Sequence, residues 1–279
     1  MNIGDQEISA REREHLIGLA RAFAGAILFS LPLLMTMEMW WLGFYLERWK
    51  LLQFIVLNLV VLVGLSRLAG FEETRGWAED GLDAFVAYAV AVLASGAVLA
   101  LFGLITIGMT ADEIVGKIAI QSVPASFGAM IARKQLGGGG DDDRKRRQER
   151  ATPGGELFLM MAGALFLSFN MAPTEEMVLI AYKMTFWHGV ALVLVSIGVM
   201  HAFVYGLGFS GQHDPGDVPR GAIFMRYTLA GYAIAVFISV YVLWTFGRTD
   251  DTSLSVAAMM TAVLAFPSAI GAAIARLVV

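Results

Sequence analysis

The chain has 279 residues, of which 57% are apolar and only 16% charged, with a net charge of −4 and no cysteine. Soluble domains are about 45–50% apolar and about 25% charged, so this composition excludes an ordinary soluble protein and indicates a helical membrane protein. Disulfide and thiolate chemistry are excluded, and the acidic charge gives no support to nucleic-acid binding. We expect the lipid bilayer as a partner and no nucleic acid.

Eight apolar runs, each long enough to cross a hydrocarbon layer about 30 Å thick, follow one another along the chain. The charged N-terminus and the lack of a small-residue cleavage site argue against a removable signal peptide, so the first run is kept as a span. The fourth run is the weakest, because it carries Glu113, Lys117 and Gln121. The predicted spans are 18–40, 51–69, 82–104, 114–133, 156–174, 185–208, 221–246 and 254–277.

Most Lys and Arg residues fall on the side of the N-terminus when the eight spans are threaded in order. Positive residues mark the cytoplasmic side, so both termini are predicted to be cytoplasmic. Between the fourth and fifth spans, residues 135–155 form a Gly-rich, charged linker that cannot bury a core. We interpret it as a solvated loop, although its RKRRQER run could also bind a partner or anionic headgroups.

Two stretches of the chain repeat. AGAILFSLPLLMTMEM at 24–39 aligns without a gap with AGALFLSFNMAPTEEM at 162–177, and PASFGAMIAR at 124–133 aligns with PSAIGAAIAR at 267–276. Four spans per copy give both copies the same topology, related by an axis along the membrane normal. The predicted fold is an all-α polytopic membrane bundle of two parallel four-helix repeats (4+4), with domains 1–134 and 156–279 joined by the linker 135–155.

One polar element occurs in both copies. It comprises Ser30, Thr36 and Glu38 in the first copy and Ser168, Thr174 and Glu176 in the second, where Asn170 and Glu175 are additional. A charged side chain at the bilayer centre costs roughly 2.5–3.5 kcal/mol, so such groups usually face a bundle interior or water. Because hard cations prefer oxygen ligands, a cation bound by Glu38 and Glu176 is the one cofactor that we consider.

Prolines beside these glutamates leave their depth open. Pro32 and Pro173 interrupt helical hydrogen bonding, and APTEE is typical of a helix start with proline in the first turn. In one interpretation, irregular backbone lines a cavity at membrane depth. In the other, the spans end early and the glutamates lie on interfacial helices, where acidic side chains still attract cations.

Other polar side chains lie within the predicted spans. We interpret Asn58, Ser196 and His201 as interhelical hydrogen-bond partners, the usual role of such groups. His188 is in addition a candidate proton relay, because histidine titrates near physiological pH. Asp83, near the start of the third span, either pairs with Arg226 or lies independently at headgroup level.

The chain lacks an HExxH zinc motif, a GxSxG elbow and a Walker A loop, so we do not predict an enzyme. The sequence favours an ion channel or transporter for cations, with Glu38 and Glu176 lining or guarding the path. The alternative is a membrane sensor or assembly module that signals through the 135–155 linker. Homodimerisation would raise the two acidic groups to four.

The combination of SxPxxxTxEMW at 30–40 with FNMAPTEE at 169–176 resembles a family of bacterial integral membrane proteins of unknown function. The resemblance covers nearly the whole chain outside the linker. It implies the bacterial inner membrane as the location and implies no mechanism. The chain lacks the GN(A/T)xxE motif of cation/calcium exchangers.

Overall fold

The computed structural model of the chain describes residues 3–69, 76–135, 153–205 and 224–278. These residues are helical apart from short connections and include no strand, which confirms the all-α prediction. The helices are α1 Ile3–Leu34, α2 Met37–Tyr45, α3 Arg48–Ala69, α4 Trp77–Leu101, α5 Ala111–Gln135, α6 Pro153–Met171, α7 Glu175–Lys183, α8 Phe186–Tyr205, α9 Ala230–Thr245 and α10 Leu254–Val278. A π-helical segment, Phe224–Leu229, leads into α9. Residues 136–152 of the predicted linker lie outside the described residues.

Eight helical segments in the described ranges are long and apolar enough to cross a membrane, as predicted. The fourth, which looked weakest in sequence, is among them. The segments are His15–Leu34, Arg48–Arg67, Trp77–Leu101, Ala111–Ala132, Gly154–Met171, Phe186–Phe203, Tyr227–Thr245 and Leu254–Ala275.

Two predicted spans were too long. The prediction carried the first span to residue 40 and the fifth to residue 174, whereas α1 ends at Leu34 and α6 ends at Met171. A separate short helix follows each break. Apolar character continues across the first break into α2, so hydropathy alone did not reveal it.

The chain divides into two compact units. The first unit contains α1, α2, α4, α5 and the part of α3 from Leu52 onward. Within it, α5 packs against α1, α2 and α4, and 67% of its spanning segment is buried. Of the polar residues that weakened this span in sequence, Gln121 is fully buried, and its Nε2 donates to the carbonyl oxygen of Leu33 at 3.2 Å.

The second unit contains Leu46–Leu51 together with α6 to α10. Here α10 is the central helix, because it packs against α6, α7, α8 and α9. Each unit is thus organised around its last helix, against which the short helix of that unit, α2 or α7, also packs.

The first and last helices of each unit touch backbone to backbone at a pair of glycines. A β-carbon on Gly25 would lie 2.5 Å from the carbonyl oxygen of Gly128. In the second unit, a β-carbon on Gly163 would lie 2.9 Å from the carbonyl carbon of Gly271. Real β-carbons essentially never come within 3.0 Å of another heavy atom. Small residues at such positions are what lets membrane helices approach closely.

Replacing Gly163 with Ala should destabilise the protein by about 1–3 kcal/mol, because α6 and α10 must separate to admit the methyl group. Thermal unfolding of the purified protein in detergent should show a lower Tm. Gly198 on α8 is the matched control, since its β-carbon position has no neighbour within 4 Å. Gly198→Ala should leave Tm unchanged or higher. Equal losses in the two variants would contradict the close contact.

Candidate functional site

In the first unit, a threonine between α1 and α2 caps the end of α1. The backbone N–H of Thr36 donates to the carbonyl oxygen of Leu33 at 3.1 Å, and its hydroxyl donates to the same oxygen at 2.7 Å. The chain then turns, and α2 begins at Met37. The side chain of Thr36 therefore ends one helix immediately before the next begins.

The second unit repeats this geometry between α6 and α7. The backbone N–H of Thr174 donates to the carbonyl oxygen of Met171 at 3.2 Å, and its hydroxyl donates to that oxygen at 2.8 Å. Thr174 is the N-cap of α7, which begins at Glu175. The predicted helix start at APTEE is thus confirmed, although Pro173 precedes the N-cap and does not occupy the first turn.

Other side chains satisfy carbonyl oxygens that the breaks leave free. In the first unit, the indole N–H of Trp40 donates to the carbonyl oxygen of Leu34 at 2.7 Å. In the second, the guanidinium of Arg248 donates to the carbonyl oxygen of Pro173. A different residue type performs the same task in each unit.

The two predicted glutamates lie in the first turns of these short helices, outside the eight spanning segments. Glu38 is partly buried and Glu176 is exposed. Neither carboxylate has a hydrogen-bond or ion-pair partner among the residues that the structure describes. The positive end of the helix dipole favours an acidic side chain at this position. This placement agrees with the interfacial interpretation and leaves both carboxylates open to solutes.

The additional polar residues of the second copy have partners of their own. Glu175 accepts a hydrogen bond from Arg248 at 2.8 Å, and the Arg248 side chain is mostly buried. The side-chain amide of Asn170 donates to the carbonyl oxygen of Phe166, one turn back in its own helix, at 2.8 Å. Of the two neighbouring glutamates, Glu175 therefore takes part in the contacts of the break, while Glu176 is exposed and has no partner among the described residues.

The two predicted serines are buried in the spanning helices. Ser30 donates to the carbonyl oxygen of Ala26 at 2.6 Å. Ser168 lies 2.5 Å from the hydroxyl of Ser268, which is in turn 3.1 Å from that of Ser239. This serine cluster joins α6, α9 and α10. Both predicted serines thus take part in helix packing, one turn or more before the break.

Lys50, the residue before the predicted second span, is a buried charge. Only 6% of its side chain is exposed; its ammonium lies 3.0 Å from the carboxylate of Asp250 and 5.5 Å from the ring centroid of Trp244. Trp49 also packs edge-on against Trp244. The signal in the sequence was the tryptophan beside the lysine, a pair that suits burial of a long cationic side chain.

The histidines differ in position. His188 is exposed in the first turn of α8, where its Nδ1 lies 2.8 Å from the hydroxyl of Thr185. His201 Nδ1 lies 3.1 Å from the hydroxyl of Thr228, which links α8 to the π-helical segment. Asn58 donates to the hydroxyl of Ser126 at 2.9 Å, linking α3 to α5. The last two are interhelical bonds of the predicted kind, whereas the relay role of His188 stays a prediction.

No group of three or more His, Cys, Asp or Glu side chains is arranged to hold a metal ion within the ranges 3–69, 76–135, 153–205 and 224–278. A cation bound by Glu38 and Glu176 also stays a prediction.

Replacing Arg248 with Gln should loosen the start of α7, because the variant loses the ion pair with Glu175 and weakens the cap on Pro173. Amide exchange with deuterium over residues 178–181, the first amides of α7 that have acceptors within the helix, should accelerate about tenfold, the effect of losing roughly 1.4 kcal/mol of local stability. Lys183→Gln, at the exposed opposite end of α7, is the control and should change nothing. Unchanged exchange in the Arg248 variant would contradict a capping role.

Comparison with known proteins identifies the family of the chain. No curated protein and no solved structure matches it. One family model, described as "Putative integral membrane protein (DUF2391)", matches residues 18–279, which include all the described helices from the first membrane-spanning segment onward. The chain therefore belongs to this family of integral membrane proteins and, with its eight apolar helices, is a multi-pass member of it.

Proposed function

We propose that the protein transports inorganic cations across the membrane, with Glu38 and Glu176 guarding the mouth of the path. The observation that carries this proposal is the duplicated break, in which each unit ends a spanning helix with a threonine and starts a short helix bearing a glutamate. Acidic side chains at the mouth of a membrane path attract and select cations. In this proposal the two glutamates lie at the entrance of the path, on α2 and α7, and not at the centre of the bilayer.

Matching contacts support the further proposal that the units are copies of one four-helix repeat. At the end of α4, the N–H of Leu104 donates to the carbonyl oxygen of Leu99 at 2.9 Å. At the end of α9, the N–H of Arg248 donates to the carbonyl oxygen of Leu243 at 2.8 Å. In each case the preceding residue is a glycine at positive φ, 71° for Gly103 and 70° for Gly247. The paired glycine contacts of the first and last helices add a second match.

A functional constraint explains why the glutamate is present in both copies. The caps of the two breaks differ, since Trp40 serves in one unit and Arg248 in the other. Closure of a break therefore does not require one particular capping residue. Glu38 on α2 is half exposed and Glu176 on α7 is exposed, so neither side chain contributes much to packing. The presence of a glutamate in both copies therefore favours a role in binding or attracting a solute.

The polar groups inside the helices form the second part of the proposal. Ser30 and Ser168 are buried behind the breaks, and each hydroxyl oxygen has lone pairs that could coordinate a cation in the proposed path. Thr36, Thr174 and Asn170 lie between them and the glutamates in the chain. The excess of Lys and Arg on one side supports the proposal that both termini lie in the cytoplasm. The bacterial inner membrane, as the resemblance implies, is the proposed location.

Purified protein in liposomes should conduct K⁺ or Na⁺, and the double variant Glu38→Gln, Glu176→Gln should reduce the flux about tenfold at low ionic strength. The deficit should shrink at high salt, because the Debye length falls from about 30 Å at 0.01 M to about 3 Å at 1 M. Flux is followed with an ion-sensitive dye inside the vesicles.

The matched control is Glu175→Gln, which removes a neighbouring carboxylate that is already paired with Arg248. This variant should retain nearly the wild-type flux. Wild-type protein that conducts no cation, or a double variant with unchanged flux, would sink the proposed function.

A further inference from the structure

A fully buried carboxylate lies in the first unit at Asp80, where the sequence had drawn attention to Asp83 instead. Asp80 is in the first turn of α4 and within the spanning segment Trp77–Leu101, with 0% of its surface exposed. Ionisable side chains inside membrane segments are costly and usually mark a path for ions or protons. The proposed mouth at Glu38 does not account for this group.

Two partners of Asp80 come from the end of α3. The Ser66 hydroxyl lies 3.4 Å from one carboxylate oxygen, and the Arg67 guanidinium lies 3.3 Å from the other. Both distances exceed the 2.7–2.9 Å that is typical of a tight charge-assisted hydrogen bond. The Arg67 side chain is 45% exposed, and its guanidinium lies 4.1 Å from the ring centroid of Trp77. The carboxylate is thus enclosed, while the guanidinium that pairs with it is partly exposed and lies over the Trp77 ring.

Asp80 lies at the far end of α4 from the break that carries Glu38. Val98 and Leu99 of α4 pack against Leu34, the last residue of α1 before that break. At 1.5 Å per residue, the stretch of α4 from Asp80 to Val98 is about 27 Å long. This length is close to the hydrocarbon thickness of a bilayer, about 30 Å. The first unit therefore has Glu38 near one end of its spanning helices and the buried Asp80 near the other.

We propose that Asp80 is a second cation site of the path and that Arg67 is its gate. This inference rests on the proposed cation transport. Arg67 supplies the positive charge that a buried carboxylate requires, and an arriving inorganic cation supplies the same charge when the guanidinium moves away from the carboxylate. A buried ion pair is not needed for stability alone, since apolar residues of similar volume often serve as well.

If Arg67 is a gate, substitutions of Arg67 and of Asp80 should change the flux in opposite directions. If the ion pair only stabilises the fold, both substitutions should lower the flux. With K⁺ and Na⁺ as the probes in liposomes, Arg67→Gln should raise the flux about tenfold and Asp80→Asn should lower it about tenfold, each equivalent to 1.36 kcal/mol in barrier height. Arg67→Lys keeps the charge and should stay near wild type. Glu79→Gln changes the exposed neighbouring carboxylate on the same helix turn and is the matched control. A fall in flux of similar size in the Arg67→Gln and Asp80→Asn variants would show a structural tie and overturn the gate.

A second measurement tests Asp80 without relying on transport. In detergent, the Tm of Arg67→Gln should rise when K⁺ or Na⁺ replaces choline at constant ionic strength, because a small cation then neutralises the carboxylate. The double variant Arg67→Gln, Asp80→Asn should show no such rise. An equal response of the two variants overturns the site. If wild-type liposomes carry no flux, the proposed function falls, and this comparison still decides whether Asp80 binds a cation.

Discussion

A backbone carbonyl at the end of a spanning helix loses its helical partner at the edge of the hydrocarbon, where a polar group that stays unsatisfied and buried costs several kcal/mol. Both helix breaks in this protein pair such carbonyl oxygens with nearby side chains. Thr36 and Thr174 turn their hydroxyls and N–H groups back onto the last helical turn, and Trp40 and Arg248 take further carbonyl oxygens. The spanning helices can therefore end abruptly without exposing unpaired backbone.

Because the breaks are satisfied internally, the short helices that follow can be held in fixed positions. In the first unit, a β-carbon on Gly43 of α2 would lie 2.7 Å from the α-carbon of Lys117 on α5, so the two helices touch along their backbones. In the second, Met177 and Ala181 bury one face of α7, which packs against α10. Each glutamate is thus presented from a rigid element anchored to the central helix of its unit.

The sequence was sufficient to predict the helical class and the number of spans, because these depend on composition and spacing. It also singled out the threonine and glutamate of each break. The ends of α1 and α6 were predicted wrongly, since the side chains that satisfy the breaks include Arg248, far away in the chain.

The burial of single charged residues was also beyond sequence reasoning. Glu79, Asp80 and Asp83 all resemble the acidic first turn of a helix, and only packing against α3 distinguishes Asp80 as the enclosed one. Lys50 is similar, because a lysine at the start of an apolar run is ordinarily expected at the membrane surface. Its enclosure depends on Trp244 and Asp250, which come from the connection between α9 and α10 and its preceding turn.

The serine cluster of the second unit has fewer hydroxyl hydrogens than hydrogen-bond contacts. Ser168, Ser239 and Ser268 each supply one hydroxyl hydrogen. Besides their mutual contacts, Ser239 and Ser268 also reach the carbonyl oxygens of Ala235 and Leu264 in their own helices. The hydrogens can satisfy these contacts in more than one order, and a small rotation of a hydroxyl converts one order into another. Three helices are thus joined by hydrogen bonds in which donor and acceptor can exchange roles without any movement of the backbone.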